Sequence, residues 1–485
     1  MKRIFFYISA VALFLQGCMG ELEQKPWGVA LEEEFYKTEE DAILAINAAY
    51  TPLSWLQDAF NSNMAALDCS ADDTFKGGGH AGDQTGLTEF FTFNITASNS
   101  ILASRWSFAY QGIFRANKVI ENVPAIEMNE ALKTRILGEA YFLRAYNHYE
   151  LMVQFGDIIL MDRTLGPDEF TQSRTDKAEV FAFIEEDLEK AASMLPKKSE
   201  YNAKTDMGRA TKGAAYAYLM KLYAWEGKQW NKVSEYAEKI ISSGEYALVD
   251  DYSMIFKMVG EHCEESIFEV NYDENSIKGW GTGNPGSWTG VCFMPRAING
   301  TGFCQVDPAL VAAYEEGDPR EDMTVYEHEN ADYGTNLYYR KYSCEPYSDY
   351  PWPTNGSSHG ANNTRLVRLA DVFLQYAEAQ YHLGNEAVAR DYVNKIRKRA
   401  RAGDDTVLPD IADNVTGSAL LDKIYFERRI ELAGEGHRFW DLLRTGRAAE
   451  VLAHRGFKAG KHELRPVPIK DLLLSNGAIT QNPGY

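Results

Sequence analysis

Histidine and cysteine are scarce in this 485-residue chain, at nine and six residues. No His-Glu-x-x-His pairing occurs, and no Gly-x-x-x-x-Gly-Lys-Ser/Thr loop follows the Gly77-Gly78-Gly79 run. Neither a zinc-protease site nor a phosphate loop is therefore expected. The aspartates show no EF-hand spacing. Low-complexity tracts are lacking too. Basic residues are outnumbered, 49 against 70 acidic, for a net charge of −21. That field repels nucleic acid and anionic lipid headgroups and is indifferent to a neutral ligand. The N-terminal apolar run, Ile4 to Leu15, is shorter than the roughly 20 residues a membrane-spanning helix needs.

Aromatic residues are plentiful: 13% of the chain, with 28 Tyr and 9 Trp. The length predicts two lobes or one elaborated domain. Lys2 and Arg3 precede the apolar run, which reads as a signal-peptide core over residues 1–17. Leu15-Gln16-Gly17-Cys18 resembles a bacterial lipobox, with Cys18 as the lipidated residue. The acidic Glu21 and Glu23 resemble a surface-export signal. Without Cys18 the remaining cysteines are Cys69, Cys263, Cys292, Cys304 and Cys344. An odd number leaves at least one thiol free within the chain, and whether Cys292 and Cys304 are bridged is left open.

Helical periodicity dominates. A helix is predicted to start at Thr38, with Glu40 and Asp41 in its first turn. Another stops before Pro124, a third ends on Gly156 and a fourth stops at Pro196. Two later stretches echo each other, one pair of short helices joined at Gly227 and another at Gly384. Both have the pattern of tetratricopeptide helix pairs, with Val233 and Ala389 at the close-contact position. Residues 245–365 between them are rich in Gly, Pro, Asn, Trp and Tyr. They read as a loop-rich lobe with short strands, inserted into a mainly α scaffold formed by 18–244 and 366–485.

The densest charge cluster is "ERRIELAGEGHRFWDLLRTG", Glu427 to Gly446. Glu427, Glu431 and Glu435 share a helical row, and Arg438, Asp441 and Arg444 share another beyond Gly434 and Gly436. The spacing predicts a corner where two helices are braced by surface ion pairs, each contributing about 0.2–0.5 kcal/mol. His437 lacks a second histidine at ligand spacing. Candidate binding groups lie instead in the loops. A sugar presents an apolar ring face and many hydroxyls, so it is held by an aromatic side chain with polar neighbours. Trp280, Trp288, Tyr338, Tyr339, Arg340 and Trp352 meet that description.

"FERRIELAGEGHRFWDLLRTG", "ELRPVPIKDLLLSN" and the terminal "QNPGY" resemble the C-terminal end of the SusD/RagB family, as do "WSFAYQGIFRANKVIENV" and "GEAYFLRAYNHYELMVQFGDIIL". The resemblance runs from Cys18 to Tyr485. It implies four tetratricopeptide helix pairs cradling a loop-rich lobe, in a non-catalytic, lipid-anchored protein of the outer cell surface. Such a protein captures oligosaccharide and delivers it to a SusC-like TonB-dependent transporter; no cofactor and no metal site is assigned, and whether a structural calcium is bound is left open. It also implies ligand contacts in the first loop, carried onto Asp72, Asp73, Phe75 and Asn99. The sequence departs from starch-binding members in "TFNITASNS", whose one large ring is Phe93, so a glycan other than starch is allowed. Gly77-Gly78-Gly79 reads as a mobile lip. Two other readings stay open: a surface glycoside hydrolase, which needs two carboxylates roughly 5–10 Å apart across a cleft, and a tetratricopeptide component that binds peptide or protein.

Overall fold

A computed structural model of the chain describes residues 35–273, 286–329, 332–352 and 360–485. Thr38 caps the first helix, α1 (Glu39–Leu56): its hydroxyl accepts from the Asp41 N–H, and the Asp41 carboxylate accepts from the Thr38 N–H. Side chain and backbone thus satisfy each other where the helix leaves its first N–H groups without partners. The helices α2 (Ser100–Asn122) and α3 (Glu130–Phe155) begin on Asn99 and Asn129, whose side chains accept from backbone N–H groups. Gly156, at φ +74°, ends α3. Three more follow before the insertion: α4 (Lys177–Met194), α5 (Lys212–Glu226) and α6 (Trp230–Ile241). After it come α7 (Leu369–His382), α8 (Glu386–Ala400), α9 (Ser418–Glu431) and α10 (Arg438–Arg444).

Each helix from α1 to α8 packs on the next, including α6 on α7, although more than a hundred residues separate those two in sequence. The eight form four consecutive pairs. Val233 and Ala389, at the expected close-contact positions, are fully buried. Gly227 and Gly384 make the turns within their pairs with φ +67° and +82°, a region in which a side chain would be strained.

The inserted lobe grows from a two-stranded stem. Strand β2 (Ser266–Val270) leads in, and β6 (Thr364–Arg368) runs antiparallel beside it and passes straight into α7. Two further strand pairs build the lobe: β1 (Thr74–Gly77) with β3 (Phe303–Val306), and β4 (Val325–Glu327) with β5 (Leu337–Tyr339). The first of these pairs joins the first loop to the lobe in one sheet, with Phe75 opposite Gln305 and Gly77 opposite Phe303. Among the described residues no helix is long and apolar enough to cross a membrane.

Several expectations change here. The glycine run is not a lip. Gly77 and Gly78 are buried in the strand pair, and the Gly78 N–H donates to the Gly302 carbonyl. A Cβ at Gly77 would stand 2.2 Å from that carbonyl oxygen, so only glycine fits. Cys292 and Cys304 are both free thiols. The charged corner exists, but it is buried rather than on the surface. Glu431 is 0% exposed and is bonded to Arg320, Arg368 and Arg399. Arg368 also reaches Glu265 at 2.7 Å and Glu435 at 2.8 Å, and Lys341 reaches Glu435 at 2.8 Å. Arg320 and Lys341 belong to the inserted lobe, so this hub ties lobe to scaffold. Burial opposes ionisation of Glu435, but the charges of Arg368 and Lys341 outweigh it and hold the carboxyl at about 2. Burial brings His437 down to about 4, so it is neutral near pH 7. Among the described residues no group of three His, Cys, Asp or Glu side chains is placed to hold a metal.

Candidate functional site

The loop after α1 is fixed from below. Arg105 of α2, almost fully buried, donates to the carbonyls of Leu56 and Asn61, to Asn63 Oδ1 and to Glu150. This sets the segment Asp58–Phe60. Asp58 Oδ1 accepts from the Trp288 N–H at 2.6 Å, and Thr289 Oγ1 accepts from the Ala59 N–H at 3.3 Å. First loop and inserted lobe therefore meet at Phe60 and Trp288. Burial raises the Asp58 carboxyl to about 6, against the backbone N–H groups of Trp288 and Ala59 that favour its charge.

From this junction a row of rings runs across the lobe. Trp288 and Phe60 are 5.9 Å apart, and Phe60 and Phe303 are 5.2 Å apart, both edge to face. Lys76 Nζ lies 5.6 Å from the Phe303 ring centre and 6.0 Å from that of Tyr333. The row continues from Tyr333 to Phe75 at 5.5 Å and from Phe75 to Phe91 at 5.1 Å, and the Arg455 guanidinium sits 4.5 Å over Phe91. Phe303 and Lys76 are buried and form the floor. Trp288, Phe60, Phe75 and Phe91 are half-buried, and Tyr333 is 41% exposed. A polar rim stands beside them. Arg296 donates to Asp83 Oδ2 at 2.7 Å, and Asp332 Oδ2 accepts from the Arg296 N–H at 3.0 Å and from the Tyr338 hydroxyl at 2.9 Å. Half-covered rings beside fixed charges and exposed His80 suit a flat, partly apolar, hydroxyl-rich ligand.

The residues singled out from sequence divide sharply. Phe75 and Trp288 join the row. Trp280 lies outside the described residues. Trp352 is half-buried, as is Arg340, whose guanidinium packs 5.7 Å over Tyr326. The remaining five are engaged within the fold. Tyr338 and Tyr339 are 0% and 2% exposed, and the Tyr339 hydroxyl donates to the Asp73 carbonyl. Asn99 is buried as the α2 cap, and its amide donates to the Gly86 carbonyl and Glu89. Asp72 accepts two bonds of 2.8 Å from Arg438, and Asp73 accepts from Arg429 at 2.8 Å. These aspartates, with buried Asp68 accepting from the Gly436 and Phe439 N–H groups, fasten the first loop to the C-terminal motif. Burial lifts the Asp68 carboxyl to about 8. Phe60 and Tyr333 were missed. Both have Asn, Asp or Gly as near neighbours, the same signal that picked out Trp288.

Stacked helix pairs carrying a lobe that gathers half-exposed rings define a helical-repeat scaffold with an inserted loop-rich lobe. Residues 321–485 match the model of the SusD family, and residues 62–224 match a model described as "Starch-binding associating with outer membrane". A solved structure named as a laminarin-binding SusD-like protein superimposes with a TM-score of 0.84 at 32% identity, covering 93% of this chain and 100% of that one. Surface glycan-binding protein A from Bacteroides thetaiotaomicron, solved in complex with laminarihexaose, gives 0.80 at 26% identity over 92% of this chain and 100% of that one. SusD-like protein P2 of Formosa agariphila is 28% identical over the full length of both chains. The chain belongs to the SusD/RagB family. These relatives are named as glycan-binding or SusD-like proteins, not as enzymes.

Proposed function

We propose that this protein is a non-catalytic glycan-binding lipoprotein of the outer cell surface, anchored through Cys18, that hands oligosaccharides to a SusC-like TonB-dependent transporter. The row from Trp288 through Tyr333 to Phe91 carries this reading. Its rings supply stacking faces, and Arg296, Asp83 and His80 supply partners for hydroxyls. Aromatic side chains contribute large contact area at small entropic cost, and hydrogen bonds to charged groups are worth about 1.5–3 kcal/mol each. The names of the relatives favour a laminarin-type glucan as the first ligand to try. Acyl chains at Cys18 would hold the protein beside the transporter and raise its effective concentration there.

The test is calorimetric titration with laminarihexaose, and in parallel with cellohexaose and xylohexaose, of the wild type and of Tyr333→Ala. The reading expects saturable binding of at least one of them, weakened about tenfold in the variant. Equal affinity in wild type and variant would remove the row as the binding surface. Co-purification of an outer-membrane barrel with the tagged protein, lost when Cys18 and the signal segment are deleted, checks the anchoring and the partner.

A further inference from the structure

A second hollow, about 440 Å³, opens beside the later half of α1. Its walls are α1 from Asn47 to Trp55, the turn at 205–209 and the end of β2 at 269–271. None of the row residues line it, although Asp58, which holds Trp288, follows Trp55 by three positions. Its volume falls within the roughly 300–1,000 Å³ of small-molecule sites.

The Trp55 ring in this wall is held rather than loose. The Arg115 guanidinium lies 5.2 Å from its centre, and the Phe108 ring packs against it at 5.5 Å. Across the hollow stands Met207, 37% exposed. The charged groups of the lining are already engaged. Arg209 donates to Glu139 and to Asn47 Oδ1, both at 2.9 Å. Glu269 accepts from His262 N–H and Asn363 at 3.1 Å and lies 3.4 Å from Arg365. The other polar residues of the lining are neutral, Asn47, Tyr50, Thr51, Ser54, Thr205 and Asn271; the Asn271 amide donates to the Met207 carbonyl and the Thr51 hydroxyl to the Asn47 carbonyl. A fixed indole, a thioether and neutral amides and hydroxyls, with every charge satisfied internally, select an uncharged ligand with one apolar face and several hydroxyls.

We infer that this hollow is a second sugar-binding subsite, which takes one or two neutral sugar residues with Trp55 as the stacking platform. It is separate from the ring row and depends on the proposed function only for its ligand class. The probe is laminarihexaose, with cellohexaose and xylohexaose alongside. The readout is hydroxyl-radical oxidation of individual side chains by mass spectrometry, at saturating sugar and without it, on the full mature chain. Trp55 is expected to lose at least threefold in oxidation rate on sugar addition, both in wild type and in Tyr333→Ala. Thr51→Arg, which drives a long side chain into the hollow from a half-buried position on α1, should abolish the change at Trp55 and leave that at Tyr333 intact. Protection of Tyr333 without Trp55 would overturn the second subsite alone. Protection of Trp55 without Tyr333 would uphold it and overturn the row. Protection of neither, by all three sugars, would overturn both.

Discussion

The hub around Glu431 and the row around Tyr333 are both dense in chemistry-bearing side chains, yet they follow opposite rules. In the hub, carboxylates and guanidiniums are buried and mutually answered: Glu431 takes three arginines, and Arg368 takes three glutamates. In the row, the rings are half-buried or exposed, with Phe303 and Lys76 buried beneath them and Arg296 and Asp83 beside them. The lesson is that a conspicuous cluster of titratable residues can be architecture, while the proposed binding surface is a row of half-exposed rings.

The largest effect should come from breaking the hub. Removing one partner of a buried ion pair costs about 3–5 kcal/mol, because the other charge stays buried without an answer. Glu431→Ala, which leaves Arg320, Arg368 and Arg399 short of a carboxylate, should lose that much in denaturant unfolding. A loss below about 1 kcal/mol would place the hub among the weak surface pairs and erase the contrast. Acid should reveal the same network. Glu435 and Asp441 are held at about 2 in the folded protein, from ordinary values of 4.5 and 3.8. Depressed carboxyl groups stabilise above their unfolded values, and that stability is lost as pH falls through the folded ones. Unfolding free energy should therefore drop between about pH 4.5 and pH 2, and drop less in Glu435→Gln than in wild type.

The row should respond in the opposite sense. Tyr333→Ala combined with Phe75→Ala should weaken glycan binding at least about 30-fold, or about 2 kcal/mol. Its unfolding midpoint should move far less than that of Glu431→Ala. Equal losses of stability would mean that the rings are core. The smallest effect is expected at the latch between them. Asp72→Asn weakens the paired bonds from Arg438 while Asp73 still answers Arg429, and should cost about 1 kcal/mol.

What could be read from the sequence was what depends on near neighbours. The Thr38 cap, the Gly156 stop and the turns at Gly227 and Gly384 are encoded within a few residues of where they act. So is the break at Gly434 and Gly436. The ion pairing of the corner was legible too, but not its depth. Arg320, Lys341 and Arg368 arrive from 60 to 110 positions away, and no local pattern announces them. The same distance misled the reading of Asp72 and Asp73, which look like loop aspartates until Arg429 and Arg438 are folded over them. Tyr338 and Tyr339, both singled out from their polar neighbours, follow each other in β5 and point to opposite faces. Both are covered because the strand pair is packed on two sides: Tyr338 against Tyr326, and Tyr339 against Thr74 and Gly434. Tyr333 sits beside Asp332 and Gly334, and Phe60 near Asp58 and Asn61, the same kind of polar neighbours that picked out Trp288.

The narrow stem has a consequence for change over time. Because β2 and β6 leave and rejoin the stack side by side, and α6 meets α7 as though nothing intervened, the frame has little stake in what hangs between them. New loops can be spliced there if they keep Arg320 and Lys341 at the joint, β3 beside β1 and the Trp288 N–H on Asp58. Diversity of appetite can then accumulate in the appendage, and the backbone that carries it need not be reinvented.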